Sequence, residues 1–229
     1  VVQAALSGFG GVGKTETATQ VAKMVAERDL CPSGIYWLLC DSVATLYKSL
    51  SDLAAAIPSL RPYASDNDPV VLAARVRDWF SSPSRAGFLL VCDNVDRRPV
   101  LQELVDRILP VTATFNGKVV VTSRLSEDVL KDVLHGVVPS TVSRLSQPQA
   151  EKLLWIGAYG VQSLEAFVES PAAAGRDPDE EAAAVRTLAS PTHLDGLPLA
   201  LQHAGAYVRE REASFCKYLG LFDEERSVL

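Results

Sequence analysis

The stretch that decides the fold is GFGGVGKTETATQVA, Gly8 to Ala22, which directly follows the apolar run VVQAALS. A strand-like run, a glycine-rich loop and a segment of helical character, in that order, are what a backbone amide cradle requires. The unpaired N–H groups and the dipole at a helix N-terminus then face an anion. Gly8, Gly13, Lys14 and Thr15 occupy every fixed position of the pattern GxxxxGK(S/T), and Gly10 and Gly11 add further glycines. Glycine lets the chain wrap closely around oxygens with no Cβ in the way. Lys14 is placed to reach the β- and γ-phosphates as a point charge, and the Thr15 hydroxyl to ligate Mg²⁺. With Val12 inside the loop and Glu16 in the first helical turn, these residues form the candidate phosphate-binding set.

A cation shell at such a loop calls for a carboxylate at the end of another buried strand. GFLLVCDNVD supplies Asp93 directly after the apolar run Phe88 to Cys92, and the carboxyl edge of a parallel sheet is where ligands sit. A third run, GKVVVTSR, ends in Thr122, Ser123 and Arg124. A strand-end arginine suits the sensing of a terminal phosphate, because it stays charged and donates in a planar fork.

Through residue 145 short apolar runs alternate with helical patterns. VVQAALS precedes a helix through Val25, IYWLLC one near residues 42–56, GFLLVC the segment LQELVDRIL, and GKVVVTS a helix near 126–134, with VVPSTVSRL (137–145) as a fifth strand. That alternation predicts an α/β fold with a five-stranded parallel sheet. After Ser146 no strand-like run appears, and PQAEKLLWIGAY, DEEAAAVRTLA, LPLALQHAGAYVRER and FCKYLGLFDEE read as helices. Residues 1–145 are therefore expected to form the nucleotide-binding domain and 146–229 a smaller helical one, with Ser146 capping its first helix and PAAAGRDPDEE a mobile loop.

Of 229 residues 48% are hydrophobic, and the longest charge-free stretches are shorter than the ~18 residues a membrane span needs. No membrane partner is expected. The net charge of -6 argues against a nucleic-acid partner, since phosphate neutralisation needs clustered basic charge. Cys31, Cys40, Cys92 and Cys216 lack CxxC spacing and read as reduced thiols in a cytoplasmic protein. His135, His193 and His203 share no metal-ligand spacing, and His203 reads as packed or capped. Tyr36, Trp37, Trp79 and Trp155 read as core or packing aromatics. The chain opens inside a strand pattern without Met, which suggests a piece of a longer protein.

GFGGVGKT, LLVCDNVD, KVVVTSR, LSQPQAEKLL and GLPLAL, in that order, resemble the NB-ARC domain of the STAND ATPases, the class of apoptosome-forming ATPases, plant disease-resistance receptors and many microbial regulators. The wording is most similar to the microbial and fungal branch, which often carries TPR or other repeats downstream. The resemblance implies a P-loop NTPase core followed by a helical ARC subdomain, and ADP or ATP with Mg²⁺ as ligand. It also implies a switch in immunity or cell-death signalling, self-associating when activated. On it Gly8 to Thr15 correspond to Walker A, Asp93 to the Walker B magnesium ligand and Arg124 to the γ-phosphate sensor. Leu145 to Leu154 correspond to the start of the helical subdomain, and Gly196, Leu197 and Pro198 to the element whose proline packs near adenine. Two departures stand out. Many members place a second acid directly after the Walker B aspartate as the base for the attacking water. Here that residue is Asn94, and an amide cannot act as a general base. Asp96 is the substitute acid, which predicts slow hydrolysis. The winged helix of the family is also absent from this stretch of chain. A small-molecule kinase is the alternative; its mobile lid would need several arginines, whereas Arg176, Arg186, Arg209 and Arg211 are scattered.

Overall fold

The structure is a computed structural model that describes residues 4–65, 68–85, 87–109, 117–134 and 136–227. Its contacts divide the chain into two units, residues 1–10 with 14–142, and 11–13 with 143–229.

In the first unit five strands form one sheet: β1 (Ala4–Ser7), β2 (Ile35–Leu39), β3 (Leu89–Asp93), β4 (Lys118–Ser123) and β5 (Val138–Thr141). All neighbours are parallel, in the order β2-β3-β4-β1-β5. Every residue of β3 is buried, the pattern of a strand covered by helices on both faces. The fifth strand is shorter than VVPSTVSRL and stops at Thr141. Around the sheet lie α1 (Lys14–Glu27), α2 (Val43–Ala56), α3 (Pro69–Ser81), α4 (Arg98–Glu103) and α5 (Glu127–Val133). Helix α4 widens into a π-helical turn over Leu104–Ile108, where the Leu109 amide donates to the Leu104 carbonyl five residues back.

Helix α3 is absent from the sequence reading, although its signals are present. Asp68 caps it by accepting from the Val70 amide, Pro69 opens it, and Leu72, Ala73, Val76 and Phe80 line one buried face. Phe80 and Trp79 join Tyr36 and Phe88 in a cluster of edge and tilted ring contacts with centroids 4.7–6.3 Å apart, which makes Tyr36 and Trp79 packing residues. Cys40 and Cys92 are buried, and all four cysteines are free. A hydrogen bond with Cys40, together with burial, pushes the Cys92 thiol up.

The second unit holds α6 (Gln147–Tyr159), α7 (Leu164–Val168), α8 (Pro178–Ala189), α9 (Pro198–Glu210) and α10 (Phe215–Ser227). Ser146 opens α6 as its cap, and the Gln149 side chain reaches back to accept from the Ser146 amide at 3.0 Å. Helices α6 and α9 cross at two glycines. A Cβ on Gly205 would stand 3.0 Å from the Cα of Gly157, so the backbones meet directly. Trp155, Phe167 and Phe215 fill the core. Glu181, 1% exposed, accepts from the Phe215 amide at 3.1 Å and the Tyr159 hydroxyl at 2.8 Å. That anchors the start of α10 to α8. Short α7 lies outside the four helical groups of the sequence reading, and PAAAGRDPDEE holds a 3₁₀ turn at Pro171–Ala173 before α8.

The turn before α9 is tightly built. Asp195 and Gly196 both adopt left-handed φ, 50° and 62°, and the Leu145 amide donates to the Gly196 carbonyl at 2.9 Å. Arg144 pairs with Asp195 beside it. Among the described residues no helix is long and apolar enough to cross a membrane.

Candidate functional site

Strand β1 delivers the loop and α1 leaves it at Lys14. Gly8, Gly11 and Gly13 have φ of 145°, 75° and 99°, conformations that side chains resist. The Lys14 side chain folds back over the loop, its Nζ donating to the Gly8 and Phe9 carbonyls at 2.9 Å each. Burial lowers its pKa from the ordinary lysine value. Asp96 opposes that shift, Arg124 adds to it, and Asp93 opposes it.

Asp93 closes β3 and is 3% exposed. Its Oδ1 accepts from the Thr15 hydroxyl at 2.8 Å and the Thr122 hydroxyl at 2.5 Å. Thr122 itself accepts from the Asn94 amide at 2.9 Å. Ser123 donates to the Val95 carbonyl at 2.5 Å and accepts from the Leu125 amide at 3.0 Å. These hydroxyls, both fully buried, weld the ends of β3 and β4 together. The sequence reading passes over that role; the available signal is a Thr-Ser pair ending an otherwise apolar run. Asn94 has φ of 63°, a region asparagine enters more readily than other non-glycine residues because its short side chain bonds locally.

Asp96 follows this turn and pairs with Arg124. Its Oδ1 accepts from the Arg124 amide at 2.7 Å and its Oδ2 from Arg124 Nε at 2.9 Å. The guanidinium lies beside the loop: a Cβ on Gly10 would sit 3.4 Å from its Cζ. One edge of the sheet thus gathers Lys14, Thr15, Asp93, Asp96 and Arg124. Val12 is buried, whereas Glu16 is exposed and accepts from Gln20 Nε2 at 2.6 Å. Pro198 is the first residue of α9 in the helical unit.

The remaining candidates lie elsewhere. His203 is exposed on α9 rather than packed, because Leu201, Ala204 and Val208 take the buried face. His193 meets Asp223 at 3.2 Å, and His135 lies outside the described residues.

Neither a family profile nor a curated protein matches this chain. Solved structures do match. Drosophila ORC bound to DNA is similar over 100% of this chain at 18% identity and a TM-score of 0.59. The Aeropyrum pernix ORC2 protein in its ADP form is similar over 95% at 11% identity and 0.52. This chain spans 62% and 61% of the length of those two proteins. A Pyrococcus horikoshii STAND protein with a tetratricopeptide repeat sensor matches over 87% of this chain and 26% of its own at 16% identity, but its TM-score of 0.43 carries no weight. The five-stranded parallel sheet, the glycine-rich loop after β1 and the first two likenesses define the fold as that of a P-loop NTPase.

The comparison corrects one expectation. Exclusion of a nucleic-acid partner does not stand, since the same fold occurs in a protein solved on DNA. A net charge of -6 is a sum over the whole chain, whereas phosphate contacts depend on local clusters of cations.

Proposed function

We propose that this chain is the nucleotide-binding switch of an NB-ARC-like STAND ATPase, taking ADP or ATP with Mg²⁺ in a cytoplasmic signalling protein that opens and self-associates on exchange. The observation that carries the reading is the set Lys14, Thr15 and Asp93 around one loop, with Lys14 Nζ held over the carbonyls of Gly8 and Phe9. The ordered motifs through GLPLAL support the NB-ARC assignment, and proteins of the same fold are known with ADP and with ADPNP. On this reading residues 1–145 are the nucleotide-binding domain, 146–229 the ARC-like subdomain, and Pro198 the adenine contact.

The residues present fit Mg²⁺. Thr15 donates its proton to Asp93, which leaves the hydroxyl lone pairs to a hard cation, and Asp93 adds a buried carboxylate. Among the described residues no group of three or more His, Cys, Asp or Glu forms a metal site, so such a cation would draw its other ligands from phosphate and water. Bound there, it would neutralise charge on the β- and γ-phosphates.

The test is calorimetric titration with Mg²⁺ and ADP, ATP, GDP or GTP, with a DNA duplex run beside them. Adenine nucleotides are expected to bind more tightly than guanine ones. Absence of binding by any nucleotide would overturn the proposal.

Turnover is expected to be slow, because Asn94 cannot take a proton and Asp96 is engaged with Arg124. Steady-state phosphate release should fall far below the ~10 s⁻¹ median of enzymes. A rate near that median would recast the protein as a catalyst rather than a switch.

A further inference from the structure

We infer that Asp96 is a positioning residue that aims Arg124 at the terminal phosphate, and not the base that activates water; this rests on the nucleotide reading above. Both carboxylate oxygens are committed to one partner. Oδ1 holds the Arg124 amide at the end of β4, and Oδ2 holds Nε of the same residue. A carboxylate that grips an arginine by main chain and side chain together fixes where the side chain leaves the strand and how the guanidinium plane is turned. Because Nε is the atom engaged, the fork made by the two Nη groups remains the edge presented to another anion, the edge suited to phosphate oxygens. The plane lies against the loop, with Cζ and Nη1 at 3.4 and 3.5 Å from the place of a Gly10 Cβ.

A general base needs an oxygen free to accept water's proton, and both oxygens of Asp96 already accept from Arg124. The partners differ as well: Asp93 meets Thr15 and Thr122, whereas both oxygens of Asp96 meet Arg124. Arg124 is 62% exposed at its side chain, so without Asp96 solvent would leave the guanidinium free to sample many rotamers.

The decisive experiment is a double-mutant cycle on Asp96→Asn and Arg124→Ala, read as the ratio of ATP to ADP affinity by displacement of a fluorescent adenine nucleotide. Asn keeps an oxygen for the Arg124 amide and removes the charge that holds Nε. Arg124→Ala is expected to lower the ATP preference about tenfold, and Asp96→Asn about threefold, with no further loss from Asp96→Asn when Arg124 is already gone. An Asp96→Asn variant that keeps wild-type nucleotide preference yet loses single-turnover cleavage would make Asp96 the base and overturn the inference. Equal loss of ATP and ADP affinity would reduce it to a structural residue and overturn it also. A readout without nucleotide separates this result from failure of the functional reading. In ¹⁵N-edited spectra the Arg124 Nε–H should be protected from exchange in the wild type and exposed in Asp96→Asn, and an unchanged Nε–H would sink the inference even if nucleotide binds.

Discussion

Replacement of Lys14 by Ala is expected to weaken binding of Mg²⁺-ATP by at least tenfold, and of Mg²⁺-ADP by a similar factor, in calorimetry or nucleotide displacement. Lys14 is held in place before any ligand arrives, its ammonium 2.9 Å from two loop carbonyls and its stem buried. Phosphate oxygens that take over that ammonium exchange a neutral acceptor for a charged one. Hydrogen bonds to charged groups contribute about 1.5–3 kcal/mol each, and every 1.4 kcal/mol is a factor of ten in affinity. The variant also removes the donor from the Gly8 and Phe9 carbonyls, so circular dichroism should accompany the titration. Equal affinity in a folded Lys14→Ala variant would remove the phosphate role of the loop.

Gly196→Ala is expected to destabilise the helical unit by roughly 3 kcal/mol, a large part of the 5–15 kcal/mol that holds a domain together. Two costs combine. The residue sits at φ 62°, where an L side chain is strained by about 1–2 kcal/mol. A Cβ there would also fall 2.2 Å from the Leu145 carbonyl oxygen, a backbone atom with no rotamer to change. For about 85 residues each kcal/mol shifts the midpoint by roughly 4–8 °C, so melting should drop by more than 10 °C. Gly160→Ala separates the two costs. Gly160 has φ 72° at the end of α6, but no atom lies within 4 Å of its Cβ position. It should lose only about 1 kcal/mol. Equal midpoints for the two variants would show that the contact with Leu145 is not needed.

The loop after β1 and the strands before Asp93 and Arg124 were legible because each is local: an apolar run, a turn and a helix start in consecutive residues. What the sequence hid depends on which strands become neighbours. Asp96 and Arg124 are 28 residues apart in the chain, and nothing in either segment announces the other. They meet because β4 pairs with β3 in the register Cys92 with Val121. Thr122 bridges Asp93 and Asn94 for the same reason. Helix α3 escaped for a different cause: Val70 and Val71 weaken its helical appearance, although Asp68 and Pro69 mark its start. Net charge misled about nucleic acid because a sum holds no information about place.

The strand order has a mechanical consequence. The strand that leads to Arg124 is laddered on both sides, to the strand that feeds the glycine-rich loop and to the strand that ends in Asp93. Its tip cannot slide without tearing two rows of hydrogen bonds at once. On the proposed function such a strand would behave as a fixed post, against which an arriving phosphate is gauged rather than one that yields to it. Motion would then be borne by the compliant parts around the post, the loop and the side chains it carries, and on that proposal stiffness at this one place would set how sharply a single phosphate is told from its absence.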